Sequence, residues 1–298
     1  MTRLEQMPMT PLRRRYIDDL RLRNYSPRTI ETYVTGVVRI AKHFNRSPDQ
    51  LGPDDIRAFQ LHLLERQVSW CLFNQTVCAL RFLYAVTLGR PDMVTHIPFG
   101  KRPKSLPSVL SPEEVVRFLD AALPGRDRTL FDVAYSCGLR LKELLGLEVA
   151  DIDSARMVLR IRRGKGQKDR FVPLSPRLLG ALRAYWRSCQ PRTWLFPGLE
   201  WSKPLTDGTV QRICHRTAAR AGLSKHVTPH TMRHSFATHL LEAGVDLLSV
   251  QVLLGHSHFN TTAKYLHISM RRLSQLPQLL DGLRITPVHP ADLAEGRA

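Results

Sequence analysis

The 298 residues of the chain suffice for one large domain or two smaller ones, and the hydrophobic content of 43% predicts a globular protein with a buried core. With 44 Lys and Arg against 26 Asp and Glu, the formal net charge is +18, which favours a polyanionic partner over a solvated basic surface without one. No stretch approaches the roughly 18 apolar residues of a membrane span, and we find neither a secretory signal nor a C-x-x-C pair, so we expect a cytoplasmic protein with reduced cysteines and no membrane association.

Residues 1–95 are predicted to form a helical domain. Ser26 and Pro27 are typical of a helix N-cap and of the first helical position, and Ile30 and Tyr33 follow at helical spacing. Two further segments, "GPDDIRAFQLHLLERQ" and "LFNQTVCALRFLYAVTL", repeat this amphipathic pattern, and no strand pattern interrupts them.

Residues 96–110 are predicted to be a linker. The surrounding stretch "THIPFGKRPKSLPSVLS" carries three prolines and three cations, with no acidic residue and no hydrophobic periodicity. A basic linker of this kind either follows a nucleic-acid backbone or only spaces two domains.

Residues 111–270 are predicted to form a second domain that is mainly helical. Ser111 and Glu114 have the spacing of a capping box, with Pro112 in the first turn of the helix. In the segment "RMVLRIRRGKGQKDRFVPL", side chains alternate between two faces on both sides of a Gly-rich turn. This pattern predicts a β-hairpin, the only clear β element. From Thr209 onward the pattern is helical again. The predicted fold class is therefore mainly α with a small antiparallel β-sheet (α+β).

The stretch "TPHTMRHSFATHL" at residues 228–240 contains three histidines and one arginine, which points either to a metal site or to a phosphate-binding site. On a helix with about 100° per residue, His230, Arg233 and His234 share one face, whereas His239 lies opposite His230. The three histidines therefore cannot bind one metal ion. The remaining pair lacks the glutamate of an H-E-x-x-H motif and has a cation beside it. We predict a phosphate-binding face without a metal ion and a packed, unreactive His239.

Three further segments contain partners for such a phosphate site. Arg140 stands at a helix beginning or bend, and Glu143 is placed to hold its guanidinium, unless the two form an ordinary surface salt bridge. Lys165 lies between two glycines in the hairpin turn, where a solvated basic turn is the alternative. His256 follows a helix-ending glycine, and Tyr265 lies further on in an amphipathic segment.

In this order and with these surroundings, the residues resemble the tyrosine recombinase (phage integrase) family, which includes Xer-type and integron-type integrases. The resemblance extends over residues 10–268 and rests on the segments "GLRLKELLGL", "GKGQKDRFVPL", "TPHTMRHSFATHLLEAGVDLLSVQVLLGHS" and "TTAKYLHI". It implies a two-domain DNA clamp, in which a helical core-binding (SAM-like) domain precedes the catalytic domain. It also implies the catalytic residues Arg140, Lys165, His230, Arg233, His256 and the nucleophile Tyr265, supported by Glu143.

Phosphodiester cleavage needs these residue types. The planar forks of Arg140 and Arg233 suit the charge of a pentacoordinate transition state, with His256 donating to a nonbridging oxygen. A tyrosine phenol with a pKa of about 10 needs a base, for which His230 is the candidate, and Lys165 is the candidate acid for the expelled 5′-oxygen. The resemblance implies a covalent 3′-phosphotyrosyl intermediate, strand exchange through a Holliday junction, and no cofactor.

The implied partner is double-stranded DNA with specific recombination sites, bound by a homotetramer or by a heterotetramer with a related recombinase. Two other functions stay open: DNA relaxation like that of a type IB topoisomerase, and non-catalytic architectural DNA binding. Lys142 and His258 depart from the residues common in the family. Residues 271–298 form a tail that differs from the Xer-type ending, and in the family such a segment docks on a neighbouring protomer.

Overall fold

A computed structural model describes residues 9–101, 107–162, 169–255 and Thr262. The chain divides into two compact units, Met1–Ser105 and Leu106–Ala298. Within the described residues, no helix combines the length and the apolar character that a membrane crossing requires. The tail predicted at residues 271–298 lies outside the described residues.

All secondary-structure elements among the described residues of the first unit are helical. Ser26 caps the second helix by accepting a hydrogen bond from the backbone of Thr29, as predicted. The apolar helix faces meet in one core, in which the buried hydroxyls of Tyr16 and Tyr84 donate to backbone carbonyls. The helices are α1 (Pro11–Leu22), α2 (Pro27–Phe44), α3 (Pro53–Glu65) and α4 (Trp70–Phe82), followed by a π-helical turn at Leu83–Thr87.

Both ends of the predicted linker are held by hydrogen bonds to their own unit. In the first unit, Gln60 donates to the carbonyl of Pro98, and the Asn74 side chain exchanges two hydrogen bonds with the backbone of Gly100. In the second unit, the backbone N–H of the buried Leu110 donates to the hydroxyl of Ser235 at 3.0 Å. The described ends of the predicted linker are therefore each fixed to one unit.

The second unit is mainly helical with one antiparallel sheet. The predicted hairpin is confirmed, and an additional short strand pairs with its first strand, giving the strand order β1-β2-β3. The predicted capping box at Ser111 and Glu114 is also present. The elements are α5 (Pro112–Asp120), α6 (Arg126–Cys137), α7 (Leu141–Leu145), β1 (Ile152–Asp153), β2 (Val158–Ile161), β3 (Arg170–Pro173), α8 (Pro176–Cys189), α9 (Asp207–Arg220), α10 (Pro229–Glu242) and α11 (Leu247–Leu254).

Helix α6 organises the second unit, because α5, α7, α8 and α10 all contact it. Its buried side chains, including Leu130 and Phe131, lie in the main apolar core. The helix ends at Gly138, after which the chain turns directly into α7, while α11 packs against α10 and β3. The start of α7, the start of β3, the middle of α10 and the end of α11 therefore meet at one place.

Candidate active site

Arg140 lies at the N-cap of α7, where the chain has turned sharply after α6. Gly138 makes this turn with a φ of +56°, and a Cβ there would lie 2.2 Å from a ring carbon of Phe236, so that glycine suits both the conformation and the space. The guanidinium of Arg140 donates to Glu143 Oε1 at 2.7 Å, and its backbone N–H donates to Oε2 at 2.9 Å. Glu143 therefore caps α7 and holds Arg140, as the spacing predicts.

Two more arginines converge on the same carboxylate. Arg170 binds Glu143 with two parallel hydrogen bonds, Nη1 to Oε1 at 2.9 Å and Nη2 to Oε2 at 2.8 Å. Arg233 reaches from α10 to within 3.8 Å of Glu143 Oε2 and donates to the carbonyls of Gly138 and Leu254 at 2.6 and 2.7 Å. We refer to Arg140, Arg170, Arg233 and Glu143 as the arginine cluster.

The last carbonyls of α11 complete the arginine cluster. Arg170 Nε donates to Leu253 O at 2.9 Å, and Arg140 Nη2 donates to Gly255 O at 3.0 Å, on either side of the carbonyl taken by Arg233. These carbonyls form the negative end of the helix and have no partner within it. Three successive carbonyls are thus each bound by a different guanidinium.

The electrostatics of the arginine cluster favour an anion. Burial alone would raise the pKa of Glu143, but hydrogen bonds from Arg170 and Arg140 outweigh it and bring the pKa to about 2. The carboxylate is therefore ionised at neutral pH, and it offsets only one of the three guanidinium charges. The remaining positive charge suits a phosphate diester.

His230 occupies the first turn of α10, which begins where Thr228 caps the helix by accepting a hydrogen bond from Thr231 N. The residue keeps an exposed surface. Partial desolvation of the imidazole, followed by the positive charges of Arg233 and Arg140, lowers the pKa of His230 below its ordinary value. At neutral pH the ring is therefore uncharged and able to accept a proton.

His239 of α10 lies apart from this arrangement. His239 Nε2 lies 2.9 Å from the carbonyl of Leu110, and Nδ1 lies 2.7 Å from the hydroxyl of Tyr135. Because a carbonyl only accepts, Nε2 carries the proton and Tyr135 donates to Nδ1. His239 is thus a packed residue, as predicted. His234 is half-buried on the same helix. Within the described ranges, no three His, Cys, Asp or Glu residues are grouped as metal ligands.

Of the side chains predicted for the site, the structure brings four together, namely Arg140, Glu143, His230 and Arg233. Lys165, His256 and Tyr265 lie outside the described residues, so their roles stay predictions, and Lys142 is exposed on α7. Arg170 was not singled out. Its signal lies in strand alternation, because it shares the inward side of β3 with the buried Val172.

Comparison with known proteins places this geometry in a family. The model described as "Phage integrase family" matches residues 108–272, more than half of the chain, and "Phage integrase, N-terminal SAM-like domain" matches residues 12–92. The chain belongs to the phage integrase family. The family and the fold are those that the sequence motifs predict.

Individual relatives agree with this assignment. The protein y4qK of Sinorhizobium fredii, named as an integrase/recombinase, is 44% identical over 271 residues, which are 90% of this chain and 88% of the relative. Tyrosine recombinase XerD of Yersinia pestis is 32% identical over 290 residues, covering 90% and 96% of the two chains. The solved structure of the XerH site-specific recombinase bound to a palindromic difH substrate shares the fold, with a TM-score of 0.69 at 23% identity over 85% of this chain and 80% of that one. This chain is a tyrosine recombinase.

Proposed function

We propose that this recombinase binds duplex DNA at specific sites and exchanges strands through a covalent 3′-phosphotyrosyl intermediate. The observation that carries the proposal is the arginine cluster, in which three guanidiniums gather on one buried carboxylate beside a histidine of lowered pKa. The relatives named as recombinases, and XerH solved with its DNA substrate, support DNA as the partner.

Arg140 and Arg233 are the proposed charge clamp. In-line attack on a phosphodiester moves charge onto its nonbridging oxygens, where preorganised guanidinium donors stabilise the transition state. The Arg140 side chain is 23% exposed and can meet a ligand from solvent, whereas Arg233 is 4% exposed and is fixed in its plane by two carbonyls. One arginine is therefore accessible and the other rigidly preorganised.

The nucleophile is Tyr265 and the base is His230 in this proposal. The phenolic oxygen of Tyr265 bonds to phosphorus while its proton passes to the neutral imidazole. The bond from phosphorus to the 5′-oxygen breaks, and Lys165 gives that oxygen a proton, while His256 donates to a nonbridging oxygen. A 5′-hydroxyl from a second duplex reverses these steps and rejoins the strand without any nucleotide cofactor.

Strand exchange between two duplexes requires more than one active site. We therefore propose a tetramer of this chain, or of this chain with a related recombinase, on two DNA sites, with a Holliday junction as the intermediate. Location in the cytoplasm stays a prediction from the sequence. Family membership favours recombination over architectural DNA binding and over relaxation of a single duplex.

Covalent trapping tests the proposal. The recombinase is incubated in EDTA with a pool of nicked duplexes of random sequence, in which a fragment lost at the nick leaves the phosphotyrosyl bond unable to reverse. We expect an adduct that resists denaturing electrophoresis, forms with the wild type and with Tyr135→Phe, and is absent with Tyr265→Phe. Sequencing the trapped DNA then identifies the target site.

Two outcomes would contradict the mechanism: adduct formation that requires a divalent metal ion, or an adduct that persists in Tyr265→Phe. A duplex built from the trapped sequence distinguishes recombination from DNA relaxation. Two such sites on different DNA molecules give recombinant products with a recombinase. A topoisomerase instead relaxes a supercoiled plasmid and leaves the two sites unjoined.

A further inference from the structure

Arg170 is the member of the arginine cluster to which the proposed mechanism gives no role. We propose that it is a positioning residue, which holds the Glu143 carboxylate and the end of α11 in register so that Arg140 and Arg233 face the scissile phosphate. The inference rests on the proposed function, because it concerns the rate of the same cleavage step.

Hydrogen-bond geometry indicates that Arg170 orients Glu143. Arg170 binds both oxygens of Glu143 in parallel, whereas the Arg140 side chain binds only Oε1. Paired guanidinium–carboxylate bonds fix the plane of a carboxylate more firmly than a single bond does. The Arg170 side chain is also the less exposed of the two, at 11% against 23%. Arg170 therefore sets the orientation of Glu143, and Glu143 sets the orientation of Arg140.

Arg170 also binds the C-terminal end of α11. It opens β3, where its Cα pairs with that of the buried Ile161, so its inward-facing side chain is anchored to the sheet. From there Nε reaches Leu253 O at 2.9 Å, the carbonyl next to the one that orients Arg233. One side chain thus ties the sheet to the helix end that holds Arg233.

Gly255 fits the same arrangement. Its φ of +61° ends α11 in the left-handed conformation, and a Cβ at this position would lie 3.0 to 3.2 Å from three atoms of Arg170. The carbonyl of the same glycine accepts from Arg140. The close approach of the helix end to Arg170 therefore also determines where Arg140 finds its second partner.

Because Arg170 and Arg140 share Glu143 as a partner, we expect a specific effect of substitutions at Arg170. Without Arg170, the buried carboxylate of Glu143 keeps Arg140 as its closest guanidinium and draws it away from an incoming phosphate. A lysine restores the charge but lacks the planar fork that binds two carboxylate oxygens in parallel. We therefore expect Arg170→Gln to be the more severe variant and Arg170→Lys to recover only part of the loss.

The test measures single-turnover adduct formation against DNA concentration, using the duplex obtained by trapping. Because a misplacement of about 1 Å can cost about 100-fold, we expect a loss of that order in the maximal rate for Arg170→Gln and about 10-fold for Arg170→Lys. The half-saturating DNA concentration should change by no more than about threefold, since many phosphate contacts contribute to binding. The matched control is Arg160→Gln, which breaks an exposed ion pair with Asp169 in the same hairpin and should leave the rate unchanged.

The pH profile of the maximal rate gives an independent readout. Loss of the Arg170 hydrogen bonds raises the pKa of Glu143, so Arg170→Gln should lose further rate on the acidic side, beyond the loss that protonation of the base His230 causes in both proteins. A purely structural defect would lower the rate equally at every pH. If thermal melting shows that Arg170→Gln is unfolded, Arg170→Lys with an unchanged melting temperature carries the same comparison.

The possible failures are distinct. A wild-type chain that forms no adduct would overturn the proposed function, and this inference with it. A wild type that forms the adduct, together with Arg170→Gln or folded Arg170→Lys variants that match its maximal rate and pH profile, would overturn the inference alone.

Discussion

The hairpin of the second unit carries two arginines that form ion pairs of nearly equal length in different surroundings. Arg160 binds Asp169 at 2.7 Å with the two side chains 51% and 37% exposed, while Arg170 binds Glu143 at 2.8 Å with exposures of 11% and 5%. Exposed pairs contribute about 0–1 kcal/mol, whereas removing one partner of a buried pair costs about 3–5 kcal/mol. Distance alone does not distinguish the two pairs; burial and shared partners do.

The largest expected effect is on the rate of cleavage, when a residue of the arginine cluster is replaced. Replacing Arg233 or Arg140 by alanine should lower the maximal rate of adduct formation by about 100- to 1000-fold, the loss typical of one preorganised transition-state donor. Arg160→Ala should retain the wild-type rate. Single-turnover assays at saturating DNA measure all three variants, and equal rates for them would show that the arginine cluster contributes no more to cleavage than the exposed Arg160.

The next effect is on stability and its dependence on pH. The pKa of Glu143 is about 2 in the folded chain and about 4.3 when unfolded, so its ionised form stabilises the fold by about 3 kcal/mol at pH 7. This stabilisation is present above the unfolded value and is lost as the pH falls toward 2. We therefore expect the difference in unfolding free energy between the wild type and Glu143→Gln to shrink on acidification.

Urea denaturation at several pH values measures this difference. The control is Asp169→Asn in the exposed pair, which should cost less than about 1 kcal/mol. A difference for Glu143→Gln that stays constant between neutral pH and pH 3 would contradict the assignment of a low pKa to Glu143.

The smallest expected effect concerns the packed histidine of α10. Tyr135→Phe removes the hydroxyl that donates to His239 and should lower the free energy of unfolding by about 1 kcal/mol, the usual net value of one hydrogen bond. The cleavage rate should stay within about twofold of the wild type, because His239 faces Leu110 rather than the arginine cluster. A large loss of rate in a folded Tyr135→Phe variant would show that His239 takes part in the chemistry.

The sequence predicts those parts of the site whose causes are local. The caps at Ser26 and Ser111, the glycine that ends α11 and the contact between Arg140 and Glu143 all depend on residues within a few positions of each other. Their physical causes are contained in a single turn of chain.

The other parts of the site depend on contacts between residues that are distant in the sequence, and the sequence alone does not predict them. Arg170 meets Glu143 across 27 residues and Leu253 across 83, so spacing in the sequence gives no sign of either contact. Strand alternation shows only that Arg170 faces inward. The strand β1 has two residues, too few for a recognisable pattern, and the lowered pKa of His230 depends on burial of the ring and on the charges of Arg233 and of the distant Arg140.

Replacing the scissile phosphate by a methylphosphonate tests most directly whether Arg140 and Arg233 act by neutralising charge. The substitution removes the negative charge of a nonbridging oxygen while keeping the bond to be cleaved. If Arg140 and Arg233 offset that charge, the rate deficits of Arg140→Ala and Arg233→Ala should shrink by about 10-fold or more on this substrate, with Arg160→Ala equal to the wild type on both. Deficits of the same size on phosphate and methylphosphonate DNA would contradict the charge clamp.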